Sequence, residues 1–156
     1  VGTNQLAWKL RQDSRVINME KQNIRTVTAE QIGELVDFIS IDVAFISLDK
    51  VLPVATNLLK DTGSLVALIK PQFEAGKENV GKGGIVRDSE IHKEVLHRIL
   101  HVAYDCGLYT HGLTFSPIKG MEGNIEFLGY FKKYEEGALT IDDTLIDTVV
   151  AEAHSL

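Results

Sequence analysis

Cysteine and long apolar runs are scarce in this chain, and each scarcity excludes a class of protein. Cys106 is the only cysteine, which excludes an internal disulfide and a cysteine-rich zinc site and favours a reducing compartment such as the cytoplasm. No run reaches the ~18 to 20 apolar residues of a membrane-spanning helix, and the N-terminus lacks the layout of a signal peptide. With 156 residues, 44% of them hydrophobic, the composition predicts one cytoplasmic domain with its own core.

Positive charge is absent from the last part of the chain. Residues 135–156 hold six acidic side chains and no lysine or arginine, which accounts for the whole formal net charge of −6. The first 134 residues are therefore neutral overall. Because the acidity is confined to one end, the net charge does not exclude nucleic acid as a partner.

Apolar periodicity predicts helices that alternate with strands. The predicted helices cover residues 5–11, 28–36, 49–60, 89–106 and 140–153, and the predicted strands cover residues 15–20, 37–48, 64–69, 108–117 and 125–134. Thr28 and Gln31 predict a capping box. Pro53 is expected in the first turn of its helix, with Gly63 capping the C-terminal side. Residues 71–88, rich in glycine and charge, are predicted to form a long functional loop.

The order of these elements predicts an α/β fold, with a mostly parallel sheet that ends in an antiparallel strand pair. The last two strands follow each other without a helix between them, so they are expected to pair antiparallel. The strand at 37–48 is almost continuously apolar and is predicted to be buried on both faces, with Asp42 in its middle.

Three polar residues at or near strands are candidate site residues. Lys70 directly follows the apolar strand at 64–69, which is where open α/β sheets bind ligands, although a solvated loop lysine is an alternative. Asp42 in an apolar strand is costly unless it is paired, which favours a site or a buried network. Glu126 alternates with apolar neighbours, a pattern equally typical of an exposed strand position.

Five motifs, found in a fixed order, carry a family resemblance. They are Gln5–Arg11, Asp42–Leu48, Lys70–Glu74, Gly84–Asp88, and Ser116–Gly120 followed by Gly123–Phe127. Together they resemble the TlyA family, often labelled hemolysin A, which is similar to the FtsJ-like (RrmJ-like) ribose 2'-O-methyltransferases of ribosomal RNA. The resemblance extends to about Tyr134. It implies a Rossmann-like S-adenosylmethionine-dependent methyltransferase fold that here lacks its first strands.

The resemblance also implies a catalytic site, a Lys-Asp-Lys-Glu tetrad around S-adenosylmethionine. By motif, Asp42, Lys70 and Glu126 match the aspartate, the second lysine and the glutamate, and nothing here matches the first lysine. The glycine-rich cofactor loop, the acidic residue that ends the second strand and an S4-like RNA-binding domain also have no counterpart. We therefore expect residues 1–156 to form a single, incomplete methyltransferase domain, its C-terminal two-thirds.

Each matched residue has an expected role. Methyl transfer to a ribose hydroxyl needs an oxygen nucleophile in line with a sulfonium methyl, and Lys70 is the candidate base or stabilising cation. Asp42 and Glu126 are expected to hold Lys70 by charge-assisted hydrogen bonds, and Asp42 to bind the methionine amino group of the cofactor. Asn23, after the predicted strand at 15–20, is expected near the adenine, with a simple turn asparagine as the alternative.

Further residues are expected to bind RNA. Lys77, Lys82 and Arg87 lie in the predicted loop, where they are expected to contact phosphates, unless the loop is merely mobile. His97 and His101 share a helix face but lack a recognisable third ligand, so no metal site is predicted.

The resulting functional prediction is S-adenosylmethionine-dependent 2'-O-methylation of ribosomal RNA, at cytidine as the resemblance implies, with ribosomal RNA or ribosomal subunits as partners. Two alternatives stay open. One is a non-catalytic RNA-binding or ribosome-assembly factor on a methyltransferase scaffold. The other is a cytolysin, as the hemolysin label suggests, which the lack of an amphipathic membrane helix disfavours.

Overall fold

The alternation of strands and helices produces a four-stranded mixed sheet. The computed structural model describes residues 2–156. Its strands are β1 (Val36–Ile41), β2 (Leu59–Ile69), β3 (Tyr109–Phe115) and β4 (Phe127–Lys132). They lie in the order β1-β2-β4-β3, with β1 parallel to β2 and with β4 antiparallel to both of its neighbours. Three of the four strands therefore point the same way, and the predicted fold class is confirmed.

Long helices cover one face of this sheet. The structure has three single-turn helices, α1 (Trp8–Arg11), α2 (Ala29–Ile32) and α4 (Pro71–Glu74), and three longer ones, α3 (Leu48–Leu58), α5 (Ser89–Asp105) and α6 (Asp143–His154). The longer helices pack side by side, with α5 between α3 and α6. On the opposite face of the sheet Phe38 is 56% exposed. None of the helices described in residues 2–156 is long and apolar enough to cross a membrane.

The core lies between the two central strands and the three longer helices. Its fully buried large side chains include Leu52, Leu65, Ile69, Leu96, Ile99, Phe127, Phe131 and Ile146. Burying one such side chain contributes about 1.5–3 kcal/mol. This layer therefore fixes where the strands end, and with them any residue placed at the strand ends.

Capping contacts explain several helix boundaries. Thr28 and Gln31 form the predicted capping box, in which each side chain accepts a hydrogen bond from the other's backbone amide. α2 nevertheless ends at Gly33, which adopts a left-handed φ of +97° and so stops the helix after one turn. The long helix predicted over residues 89–106 is observed as α5, and Gly107 follows it with a φ of +86°.

The strand predicted at residues 15–20 is wrong. Arg15 instead folds back on Asp13 through two side-chain hydrogen bonds. The sheet ends at β1, so no neighbouring strand within residues 2–156 can pair with this segment. Without a ladder to complete, β propensity alone does not make a strand.

The single strand predicted at residues 37–48 is also wrong. The apolar run contains β1, an irregular loop and the first residue of α3, because the Ser47 hydroxyl caps this helix by accepting the Asp49 amide. Asp42 therefore follows β1 and does not lie inside a strand. β1 is not buried on both faces, because the long helices cover only one face of the sheet.

The junction between α3 and β2 differs from the prediction in two ways. Pro53 is the sixth residue of α3, beyond the first turn. Gly63 does not cap α3 but lies within β2, which begins directly at Leu59. The pairing of β1 with β2 shifts register here, and a side chain at Gly63 would overlap Leu59 and approach the Asp37 carbonyl oxygen to 3.0 Å. The glycine therefore allows the two strands to approach at the irregularity.

We expect Gly63→Ala to lower the free energy of unfolding by about 1–3 kcal/mol, because the new methyl group must displace a core leucine and backbone. Urea unfolding at equilibrium measures this change. Asp61→Ala is the matched control, since Asp61 is an exposed residue of the same strand, and it should change stability by less than about 0.5 kcal/mol. Equal stability of the Gly63 variant and the wild type would contradict the packing argument.

Candidate active site

Three strands bring polar residues to one edge of the sheet. Asp42 follows β1 and Lys70 follows β2, and these strands are parallel. Glu126 precedes β4, which runs the other way. The last residue of β2, Ile69, pairs with the first residue of β4, Phe127, so Lys70 and Glu126 lie next to the same pair. Asp42, Lys70 and Glu126 therefore lie at the edge where ligands of open α/β sheets bind. The expected contact between Glu126 and Lys70 is not observed within residues 2–156, because Lys70 pairs with Asp42 and Glu126 is hydrogen-bonded to Gln72 instead.

Asp42 and Lys70 form an ion pair across the ends of β1 and β2. Lys70 Nζ lies 2.5 Å from Asp42 Oδ1, and the lysine side chain is 15% exposed while the aspartate side chain is 71% exposed. Lys70 is thus not a solvated loop residue, and Asp42 is paired as expected although it is not buried. A pair with one exposed partner stabilises a fold by only about 0–1 kcal/mol, so stability does not account for it.

Glu126 lies buried on the other side of Lys70. It is not an exposed strand position, because it is almost inaccessible to solvent and accepts a hydrogen bond from Gln72 Nε2 at 2.8 Å. Gln72 Oε1 is buried and has no hydrogen-bond partner within residues 2–156. A side chain at Gly120 would overlap the Glu126 carboxylate, so this glycine lets the neighbouring turn close over the acid.

Two phenylalanines, neither of them predicted as a site residue, follow the two members of the ion pair in sequence. Phe45 lies three residues after Asp42, and Phe73 three after Lys70; their ring centroids are 4.8 Å apart. Phe45 is 81% exposed and adopts a φ of +64°, a left-handed conformation that disfavours bulky side chains. Exposure combined with backbone strain points to a binding role. This role of Phe45 was not predicted, because an apolar residue within an apolar run is ordinarily assigned to the core.

Glu74, at the end of the Lys70–Glu74 motif, anchors the same region. Its buried carboxylate accepts hydrogen bonds from the Ser47 hydroxyl at 2.6 Å, from the Leu48 amide at 2.8 Å and from Arg98 at 2.8 Å. These donors belong to the start of α3 and to α5. The sequence analysis missed this residue because its partners lie more than twenty positions away.

The Asn124 side chain links residues 84–86 to the turn before Glu126 by hydrogen bonds. It is buried, its Oδ1 accepts the Val86 amide, and its Nδ2 donates to the carbonyls of Gly84 and Met121. Every hydrogen-bonding position of this amide but one acceptor lone pair is therefore used. Residues 71–88 are not one open loop as predicted, since they contain α4 and two further short helical turns and bury Val86.

His92 binds the opposite side of Val86. Its buried ring donates from Nε2 to the Val86 carbonyl at 3.0 Å, and its Nδ1 faces His154 Nε2 at 2.8 Å. A carbonyl only accepts, so Nε2 carries the proton and the neutral ring accepts from His154 through Nδ1. Burial lowers the pKa of His92, an effect that the hydrogen bond to Val86 partly offsets.

The three expected RNA-binding residues lie on the surface of the same segment. Lys77, Lys82 and Arg87 are all exposed. Arg87 also donates a hydrogen bond to the Lys82 carbonyl at 3.1 Å, so its guanidinium helps to hold the segment in shape. Their contact with RNA stays a prediction.

Asn23 lies near the site for a reason other than the predicted one. No strand precedes it; its side chain accepts the Arg25 amide and caps a short 3₁₀ turn, Ile24–Thr26. Ile24 lines a groove of about 470 Å³ that runs along β1, has a largely apolar lining and includes Asp42. The turn-asparagine alternative is therefore correct for its local structure, and its contact with a cofactor stays a prediction.

The histidines considered as metal ligands pair with carboxylates. His97 contacts Asp143 at 3.2 Å, and His101 contacts Asp105 at 3.3 Å. Within residues 2–156, no three histidine, cysteine or acidic side chains are grouped in a way that could hold a metal ion.

A comparison with known protein families shows which family the chain belongs to. Residues 1–133 match the family described as FtsJ-like methyltransferase. The chain belongs to the FtsJ-like methyltransferase family. The resemblance that the five motifs indicated is thereby confirmed.

Individual relatives agree with this assignment. The FtsJ-like chain is 49% identical to the Bacillus subtilis protein YqxC, and the alignment covers 99% of this chain and 56% of YqxC. It is 39% identical to the Mycobacterium tuberculosis 16S/23S rRNA (cytidine-2'-O)-methyltransferase TlyA over 90% of its length, covering 52% of TlyA. A Streptococcus thermophilus protein solved under a hemolysin label superposes with a TM-score of 0.91 at 50% identity, over 99% of this chain and 56% of that one. The FtsJ-like chain thus spans about half the length of these relatives.

We expect stability to fall as the pH is lowered from about 7.5 to 5.5, in part because of His92. Since the folded state lowers the pKa of His92, the unfolded chain binds a proton first, and the stabilisation present above a pH of about 6.5 is lost below it. Urea unfolding at both pH values measures the change. His92→Gln keeps a donor for Val86 but does not titrate, so its stability should depend less on pH. An unchanged pH dependence would contradict the assignment.

Proposed function

We propose that this FtsJ-like domain is the catalytic part of an S-adenosylmethionine-dependent enzyme that methylates ribose 2'-hydroxyls of ribosomal RNA at cytidine. The supporting observation is the Asp42–Lys70 ion pair, with Glu126 at the same sheet edge. The name of the similar TlyA protein, an rRNA (cytidine-2'-O)-methyltransferase, supports the substrate. The partners would be ribosomal RNA or ribosomal subunits in the cytoplasm.

The chemistry of the groove fits S-adenosylmethionine. Asp42 uses Oδ1 for Lys70, and its exposed side chain leaves the second oxygen open to an amino group. The rest of the groove is largely apolar, which suits the carbon atoms of the cofactor's adenosine and methionine parts, with Asn23 beside it. When bound, this cofactor supplies an electrophilic methyl group on a sulfonium. Asp42 would hold its amino group, and Asn23 its adenine.

Lys70 would act on the ribose hydroxyl. An attacking alcohol develops negative charge on oxygen as its proton leaves, and a fixed cation nearby stabilises that charge. Since Lys70 is shielded from solvent and ion-paired with Asp42, we assign it the role of this cation. Glu126 and Gln72, which are hydrogen-bonded to each other at 2.8 Å, border the same sheet edge.

RNA would reach the site through stacking and phosphate contacts. Single-stranded bases stack on exposed aromatic rings, and Phe45 and Phe73, whose ring centroids are 4.8 Å apart, follow Asp42 and Lys70 by three residues each. Lys77, Lys82 and Arg87 would bind phosphates of the same strand. Methylation thus requires one nucleotide to leave its stack and lie against Phe45.

We expect Lys70→Ala to lower kcat for methyl transfer to ribosomal RNA by about 100- to 1000-fold, because the charge at the attacking oxygen is no longer stabilised. Incorporation of labelled methyl groups by the full-length protein measures this loss, and calorimetry tests whether S-adenosylmethionine still binds. Lys60→Ala is the matched control, since Lys60 forms an ion pair with Asp37 at 2.9 Å between the same two strands at their other end. Undiminished turnover of Lys70→Ala would refute the catalytic role, and a wild-type protein that binds RNA without methylating it would favour the assembly-factor alternative.

We expect Phe45→Ala to raise the KM for RNA by about 5- to 100-fold, the range that corresponds to losing one base–aromatic stack. Affinity for S-adenosylmethionine alone should not change, and Phe45→Tyr should behave like the wild type. Tyr104→Ala is the control, because Tyr104 is also an exposed ring paired with another, Tyr109, but away from the site. A wild-type KM for Phe45→Ala would exclude the stacking role.

A further inference from the structure

We propose that Glu74 is a positioning residue, which sets the distance between Asp42 and Lys70 through its hydrogen bond to Ser47. The proposal rests on the proposed function for the meaning of that distance. Glu74 lies at the end of α4, four residues after Lys70, and Ser47 lies five residues after Asp42. The segments 42–47 and 70–74 are therefore joined twice, by the ion pair at their first residues and by the Ser47–Glu74 hydrogen bond at their last.

These contacts close a ring. It runs from Asp42 along the loop to Ser47, across the 2.6 Å hydrogen bond to Glu74, back along α4 to Lys70, and across the ion pair to Asp42. The rings of Phe45 and Phe73, which belong to the same two segments, contact each other in a tilted arrangement. A loop attached at one point can pivot, whereas attachment at two points fixes its orientation. Glu74 thereby restricts Asp42, whose side chain is 71% exposed.

The local electrostatics favour the carboxylate in this place. Glu74 binds the first backbone amide of α3, at the positive end of the helix dipole, and Arg98 supplies a full positive charge at 2.8 Å. Burial of such a pair usually adds little net stability over an apolar replacement. Its effect is instead to fix the direction of the carboxylate, because Oε1 accepts from the Leu48 amide and Oε2 accepts from both the Ser47 hydroxyl and Arg98.

Ser47→Ala tests the proposal more selectively than a change of Glu74, whose removal would leave the buried Leu48 amide without its acceptor and Arg98 without its carboxylate partner. The alanine removes one hydroxyl, which contacts Glu74 and also caps α3, and Ser47→Thr restores the hydroxyl for both contacts. In the full-length protein, at saturating cofactor and RNA and well below the unfolding temperature, we expect kcat to fall about 10- to 100-fold in Ser47→Ala, because small misplacements at a reacting centre have effects of this size. Ser47→Thr should recover most of the rate.

Ser64→Ala is the matched control. It removes another partly buried serine hydroxyl, one that accepts a hydrogen bond from Tyr130 at 3.2 Å on β2, and it should leave kcat unchanged. A purely structural role of Ser47 would lower the unfolding temperature without lowering kcat, and this result would overturn the proposal while leaving the proposed function intact.

A crystal structure of Ser47→Ala distinguishes failure of the proposed function from failure of the positioning proposal. If the wild-type protein proves unable to methylate RNA, the proposed function fails, and the distance between Asp42 and Lys70 still decides whether Glu74 positions them. A lengthened or disordered contact supports positioning. The wild-type distance in Ser47→Ala overturns it.

Discussion

The parallel pairing of β1 with β2 is the constraint on which the candidate site depends. Ile41 at the end of β1 pairs with Ala67 near the end of β2, so the chain leaves both strands at the same edge and within reach of one ion pair. The Asp42–Lys70 contact adds little stability of its own. The strand pairing brings the two residues to one edge, and the contact of Ser47 with Glu74 is proposed to set the distance between them.

The reversed strand β4 adds a residue that a wholly parallel sheet could not supply in the same way. Parallel strands contribute to this edge only the residues that follow them, whereas an antiparallel strand contributes the residues that precede it. Glu126 therefore approaches Lys70 from the opposite chain direction, and the turn before it is fixed by Asn124 to the glycine-rich segment. One edge thus gathers a lysine, two acids and a basic surface from segments far apart in sequence.

The sequence predicted which helices and strands form the site better than it predicted where each of them begins and ends. Amphipathic spacing located α5 and α6, and the family motifs brought together Asp42, Lys70 and Glu126. The limits of β1 were missed because an apolar run does not reveal where a strand stops when the following helix also begins with leucine. Ser47, a good N-cap residue directly before Leu48 and Asp49, was the available signal. Glu74 and Asn124 could not be assigned, since their roles arise only from partners brought close by the fold.

The strained backbone at Phe45 sets a limit on how far this domain can be stabilised. A non-glycine residue in the left-handed region stores about 1–2 kcal/mol, which glycine would release at that position. Selection for heat resistance alone would thus favour discarding the ring, while selection for substrate capture would retain it. Thermostable descendants of this FtsJ-like domain, whether natural or evolved in the laboratory, should have gained their stability at other positions.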